Sequence, residues 1–180
     1  FRQLTKELEA LGHRFKTRSD TEVIVHAWES WGAACVTRFR GMFAFVLWDR
    51  NQQTFFMARD RFGVKPLHYA LLDDGTLIFG SELKVVTAHP GFKRALDPFA
   101  VEEFFALGYV ADPRCIYSTA HKLPPAHCLT LRRCTPLPSP VPYWDVRFTL
   151  DNLVSAEDAM GELRPRLEES IRLRMIADVP

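Results

Sequence analysis

Met42-Phe43-Ala44-Phe45-Val46-Leu47-Trp48, then Asp49-Arg50-Asn51-Gln52-Gln53, then Thr54-Phe55-Phe56-Met57-Ala58-Arg59, decide how this chain folds. Two short apolar, aromatic runs flank a polar turn, which predicts a β-hairpin. Leu67 to Leu72 and Thr76 to Phe79 repeat the pattern around Asp73-Asp74-Gly75, where the Asp-Gly pair is a strong turn signal. The strands are apolar almost throughout, so the sheet they build is expected to be covered on both faces.

Helical spacing lies to either side. Leu4, Leu8 and Leu11 share one face of a helix over residues 2–11, with Gly12 at its end. Ser19-Asp20-Thr21-Glu22 reads as a capping box opening a second helix, with Ile24, Ala27, Trp28 and Trp31 as its apolar face and Gly32 closing it. Glu82 to Ala88 predicts a short helix, and Asp97-Pro98 starts another that Gly108 ends. Residues 109–126 look irregular, and His127 to Arg132 reads as a strand.

Pro136, Pro138, Pro140 and Pro142 then mark a stiff, solvated linker. Ser155-Ala156-Glu157-Asp158 is another capping box, followed by the stripe Met160, Leu163, Leu167 and Ile171, with Pro165 expected to kink the helix. Residues 1–145 thus read as one α/β unit, and 146–180 as a linker and the first helix of another.

Composition narrows the function. The chain has 180 residues, 47% hydrophobic and 25% charged, which excludes a disordered tail or a coiled-coil rod. Lys+Arg is 23 against 22 Asp+Glu, so no global basic field exists to hold nucleic acid or an anionic membrane. No apolar run approaches the ~20 residues a bilayer span needs. Cys35, Cys115, Cys128 and Cys134 form no C-x-x-C pair, and Cys128/Cys134 with His127 is a poor zinc signature. Free structural thiols in a reducing, cytoplasmic setting are expected.

Few residues carry chemistry on their own. Ala58-Arg59-Asp60-Arg61-Phe62-Gly63-Val64-Lys65-Pro66-Leu67 puts four charges in one turn. It reads either as an ion-paired turn, with Arg59 or Arg61 neutralising Asp60, or as an anion clamp of Arg59, Arg61 and Lys65. Asp20 is either a first-turn helix residue or a carboxylate that receives an amine. Ser81 reads as a helix cap, since no G-x-S-x-G frame surrounds it. The six histidines form no H-x-x-x-H or H-E-x-x-H pattern, and His26 is expected to be half-buried beside Trp28. No complete catalytic set emerges.

Six ordered motifs do point further. Ser19-Asp20-Thr21-Glu22-Val23-Ile24, Gly41 to Asp49, Ala58 to Leu67, Phe79-Gly80-Ser81-Glu82-Leu83-Lys84, Lys122 to His127 and Tyr143-Trp144-Asp145 closely resemble the N-terminal class II glutamine amidotransferase domain of glutamine-hydrolysing asparagine synthetases. The resemblance implies an α+β fold: an N-terminal-nucleophile hydrolase αββα sandwich, incomplete here, followed by the first helix of an α/β, ATP-dependent synthetase domain. It implies a carbon–nitrogen ligase in which glutamine hydrolysis supplies ammonia, while ATP and Mg²⁺ activate aspartate to give asparagine, AMP and pyrophosphate. Glutamine, aspartate and ATP are the implied partners, and a homodimer is admitted. It makes Asp20 the partner of the glutamine α-amino group and Arg59, Asp60 and Lys65 structural support.

The family's nucleophile is the cysteine at the mature N-terminus, with an Asn-Gly pair forming the oxyanion hole. This chain opens at Phe1 and stops at Asp178-Val179-Pro180, where it resembles the approach to a pyrophosphate loop. No catalytic residue is therefore expected within it, and by itself it is expected to be inactive and to bind no ATP. Three other readings remain open. One is a synthetase-like amidotransferase of a bacterial exosortase or exopolysaccharide system, suggested by Phe79 to Leu83 and Val141 to Asp145. Another is a non-catalytic domain that lost its nucleophile. The third is an anion-binding module on Arg59, Arg61 and Lys65.

Overall fold

The computed structural model describes residues 1–132, 135–148 and 155–175. The chain divides into two compact units, Phe1–Asp145 and Val146–Pro180. In the first, α1 (Arg2–Ala10), α2 (Asp20–Trp31), a 3₁₀ turn (Gly32–Ala34) and α3 (Cys35–Arg38) precede the hairpin of β1 (Ala44–Asp49) and β2 (Thr54–Arg59). A second hairpin, β3 (His68–Leu71) and β4 (Leu77–Gly80), follows. Then come α4 (Leu83–Thr87), α5 (Pro98–Leu107), β5 (His121–Lys122), β6 (His127–Arg132) and β7 (Val141–Pro142). Both hairpins pair antiparallel, with Ala44 opposite Arg59 and His68 opposite Gly80.

The strands form two sheets, ordered β1-β2-β6-β7 and β4-β3-β5. Period-two alternation assigns their side chains to layers. Phe45, Leu47, Phe56, Ala58 and Cys128 face a core shared with Leu8, Val23, Ala27, Trp28 and Val36 of the first three helices. Their neighbours Val46, Met57, Leu129 and Leu131 face the opposite way and meet Tyr69 and Leu77 of the second sheet, with Leu67 and Leu123 beside its strands. Ala70 and Ile78, on that sheet's far side, pack with Leu83 and Val86 of α4, and with Phe92 and Cys115. The order is helix, sheet, sheet, helix: the αββα layering of an α+β fold, where residue patterns alone suggested α/β. Strand β2 is buried on both faces, and Phe56 and Met57 are wholly enclosed. Truncating either to Ala would cost about 2–5 kcal/mol.

Several local expectations need correction. The helix at Asp20 starts where the motif puts it, yet the capping box does not close. Ser19 Oγ accepts from the Thr21 N–H at 3.1 Å, and Ser19 N donates to Thr17 Oγ1. Glu22 turns instead to the preceding loop, accepting from Lys16 N at 2.8 Å, Thr17 N at 2.7 Å and the Thr17 hydroxyl at 2.5 Å. Three donors there outweigh the single N–H a box would offer. Ser81 does not cap α4: the cap position is Glu82, and no side chain hydrogen-bonds to that end. The irregular stretch holds β5, and the Pro-rich stretch holds β7, which pairs Val141 with Cys128.

Helix α6 (Ala156–Arg174) in the second unit opens on Ser155, whose Oγ accepts from Asp158 N at 3.1 Å and donates to Asp158 Oδ2 at 2.6 Å rather than completing a reciprocal box, and it runs on through Pro165. Met160, Leu163, Leu167 and Ile171 lie exposed along it. Cys134 and the last five residues of the chain lie outside the described residues.

Candidate functional site

The charged turn after β2 is a joint that the whole first unit shares. Arg59 is buried at the end of β2. Its Nε donates to Lys65 O at 2.9 Å and its Nη2 to Gly63 O at 2.8 Å. Its Nη1 donates to Asp112 Oδ2 and to Leu123 O, each at 2.7 Å. Lys122 approaches the other Asp112 oxygen at 3.3 Å. A guanidinium has five N–H groups, and four are committed to the fold.

Asp60 is 1% exposed. Its Oδ1 accepts from the N–H groups of Phe62 and Val64, both at 3.1 Å, and its Oδ2 from Lys65 at 3.0 Å and Phe43 at 3.3 Å. The backbone here folds around the carboxylate. The expected ion pair within the turn is therefore not the one formed. Arg59 pairs with Asp112, 53 residues on, and Arg61 donates to Phe39 O and Thr37 O, with its guanidinium 5.8 Å from the Trp144 ring centre. With Arg59 and Arg61 so engaged, the turn is no anion clamp.

Gly63 has φ +63°, and a Cβ on it would fall 2.8 Å from Pro125 Cγ and 2.9 Å from Arg59 Cζ, so both backbone and space require glycine. Tyr143 closes the joint: its hydroxyl donates to Arg59 O at 2.7 Å, and burial pushes its phenol up to about 12. Asp112, Tyr143 and Trp144 had no assigned part in this joint from sequence, and nothing local in Val110-Ala111-Asp112-Pro113 marks Asp112 as a partner of Arg59.

Asp20 occupies the first position of α2 and is exposed. The Ser19 hydroxyl lies 3.5 Å from its Oδ1, and the positive end of the helix dipole sits behind it. Its carboxylate is available to a cationic ligand. The structure does not bring Arg59, Arg61 or Lys65 to it as a second anchor. The cavities of about 450 and 340 Å³ lie elsewhere, the first against Tyr69, His121 and Lys122, the second against Trp48, Phe55 and Leu77. Two turns along the same helix, Trp28 Nε1 donates to Asp49 Oδ2 at 2.8 Å and locks α2 onto the hairpin turn. Glu22 is held down at about 2, chiefly by the Thr17 hydroxyl and then by the Lys16 N–H.

None of the described cysteines makes a nucleophile. Cys35, Cys115 and Cys128 are free and buried. Burial pushes the Cys35 thiol up to about 12, with Cys128 beside it adding to the rise, and pushes Cys128 up as well. A thiol so raised stays protonated and inert at neutral pH.

Residues 1–144 match the family model described as a glutamine amidotransferase domain. The chain belongs to that family. Among curated relatives, the chain is 35% identical over 178 residues to asparagine synthetase [glutamine-hydrolyzing] 3 of Bacillus subtilis (strain 168), covering 98% of the chain and 28% of that protein. It is 30% identical to asparagine synthetase [glutamine-hydrolyzing] 1 of the same organism, covering 99% of the chain and again 28% of the relative. It is 32% identical to amidase chyE of Penicillium rubens, covering 99% of the chain and 25% of the relative. The chain thus spans little more than a quarter of the length of these relatives. A solved structure of glutamine phosphoribosylpyrophosphate amidotransferase from B. subtilis, complexed with ADP and GMP, aligns with a TM-score of 0.48 at 21% identity, over 73% of this chain and 24% of that one.

Proposed function

We propose that this chain is the glutamine-handling part of a glutamine-dependent asparagine synthetase, in which hydrolysis of glutamine releases ammonia for transfer to an activated aspartate carboxylate. What carries the reading is similarity to glutamine-hydrolysing asparagine synthetases over 98% of the chain, through both units. Asp20 is assigned to the α-ammonium group of glutamine. An exposed carboxylate at a helix N-terminus suits that task, because the dipole favours its charged form and an ammonium supplies up to three donors. The joint at Arg59 and Asp60 serves by rigidity: it fixes the end of β2, and through Phe43 and Tyr143 the segments on either side.

ATP and Mg²⁺ would belong to the synthetase part. The first turn of α6 carries Glu157 and Asp158, which repel phosphate, and its Arg164 and Arg166 are paired to Glu168 at 3.2 Å and Glu162 at 2.9 Å. The first turn of α6 does not suit a nucleotide phosphate, and no step is derived through it.

The test uses the complete protein with aspartate, ATP and Mg²⁺, and compares glutamine with ammonia as nitrogen source. Asp20→Asn is expected to lower kcat/KM for glutamine by at least about tenfold, the ~1.4 kcal/mol of one charged contact, with ammonia-dependent synthesis nearly intact. Equal loss of both activities would remove Asp20 from the glutamine site. A second reading keeps the nitrogen chemistry and changes the acceptor. It is favoured by the similarity to two proteins named amidases, at 32% and 31% identity. Failure of aspartate as acceptor, with glutaminase activity retained, would select it.

A further inference from the structure

Two of the histidines that the sequence scatters are neighbours in space. His13, in the connection after α1, brings its Nδ1 within 3.1 Å of the Nδ1 of His26 on α2. Glu29, one turn along α2, completes the triangle: its Oε2 lies 2.9 Å from His26 Nδ1 and 3.4 Å from His13 Nδ1. These three ligand atoms form the metal-competent group found among the described residues.

The triangle has the size of a coordination face. A point equidistant from its corners is about 1.8 Å from each. An ion at the ~2.1 Å usual for zinc–imidazole and zinc–carboxylate bonds sits about 1 Å above the plane, with ligand–metal–ligand angles of about 87 to 108°. Those angles lie between octahedral and tetrahedral values. Two imidazoles and one carboxylate suit a borderline first-row cation rather than Ca²⁺ or Mg²⁺, which prefer oxygen.

The far side of the His13 ring is arranged as a metal-bound histidine requires. His13 Nε2 is 2.7 Å from the Ser30 hydroxyl. His26 Nε2 faces Glu22 Oε1 at 3.6 Å and is buried without a hydrogen-bond partner. That orphaned nitrogen is the second, independent sign. His26 lies between two carboxylates, Glu22 and Glu29. With a single ring proton, it must point a lone pair at one of them. A cation on Nδ1 removes the conflict, because the proton then belongs on Nε2 and points at Glu22.

The surroundings hold the rings in place before any ion arrives. Glu22 binds the Lys16 and Thr17 N–H groups, Phe15 meets the His26 ring edge-on at 4.7 Å, and His13 N donates to Leu8 O at 3.0 Å. Both histidine side chains are mostly buried, whereas Glu29 is 54% exposed, leaving the outer coordination positions to water.

We propose that His13, His26 and Glu29 form a site for a zinc-type divalent cation that clips the α1–α2 connection to α2. The proposal stands whether or not the glutamine reading holds.

The experiment is titration of chelator-treated protein with Zn²⁺ by calorimetry, with thermal melts in parallel. One equivalent is expected to bind with micromolar or tighter affinity and to raise Tm by about 3 °C or more. Glu29→Gln and His13→Asn are each expected to weaken binding at least about tenfold and to abolish the Tm shift, while His89→Gln leaves both unchanged. Glu29 is exposed, so its variant keeps the comparison valid even if His13→Asn fails to fold. Absence of saturable one-to-one binding below about 100 µM would overturn the proposal. So would undiminished binding in Glu29→Gln, and the triangle would then be held by a shared proton.

Discussion

Replacing Asp60 with Asn removes one negative charge and almost no volume, so its cost isolates what the buried carboxylate does. Four backbone N–H groups bond it: Phe62 and Val64 on one oxygen, Lys65 and Phe43 on the other. A carboxylate accepts from all four; an amide keeps one oxygen and turns an NH₂ toward the other two donors. Two hydrogen bonds to a charged group are lost, at about 1.5–3 kcal/mol each, for a total of about 3–6 kcal/mol. That is a large part of the ~5–15 kcal/mol that holds a typical domain. The assay is equilibrium urea unfolding followed by tryptophan fluorescence and far-ultraviolet dichroism, with matched slopes required of both proteins. Asp97→Asn is the control. Asp97 caps α5 through the Phe99 and Ala100 N–H groups, which Asn would do as well, and pairs at 3.5 Å with the partly exposed Arg114, so a change within about 1 kcal/mol is expected. A loss below about 1 kcal/mol for Asp60→Asn would refute the claim that the turn is organised by this carboxylate.

Gly63→Ala should cost more than Gly12→Ala, although both glycines have positive φ. Nothing lies within 4 Å of a Cβ on Gly12, so its loss is the backbone term of about 1–2 kcal/mol, whereas at Gly63 rigid Pro125 and the pinned Arg59 must also give way. Equal shifts in thermal melts would show that the close approach does not matter. Acid should destabilise the first unit through His68 and His121, which burial pushes below the usual 6.5. The unfolded chain then takes protons first, so stability is full above about pH 6.5 and falls as pH drops below it. A His68→Gln/His121→Gln variant should show a flatter profile between pH 7 and 5 in urea melts, and a wild type that gains stability on acidification would reverse the sign.

The hairpins were legible because their signals are local: apolar runs, and a Gly75 that adopts φ +83° in an Asp-Gly turn. Helix starts at Asp20, Pro98 and Ala156 were legible for the same reason. What could not be read depends on distant partners. β5 and β7 are two residues each and exist as strands only because β3 and β6 pair with them. Gly32 looks like a helix terminator, which hides the 3₁₀ turn and α3 just after it. Glu22 has the right spacing for a capping box, but which donors it takes depends on how the loop before it folds. The same holds for the site. Asp20 is visible as a motif, whereas the partnership of Arg59 with Asp112 crosses 53 residues, and that of His13 with His26 joins a loop to a helix.

The proline comb at residues 136–142, read as a spacer, has a different consequence once Val141 and Pro142 lie against β6. Pro142 has no N–H to offer, so the outer margin of the first sheet is blunted there against recruiting another strand. The opposite margin is β1, where Phe45, Val46 and Leu47 stand in a run without proline and no further strand pairs among the described residues. Growth of this sheet is therefore one-directional. A strand added in assembly, from this protein or another chain, has β1 as its template, and a charge or proline placed there would be the substitution to keep the protein from self-association.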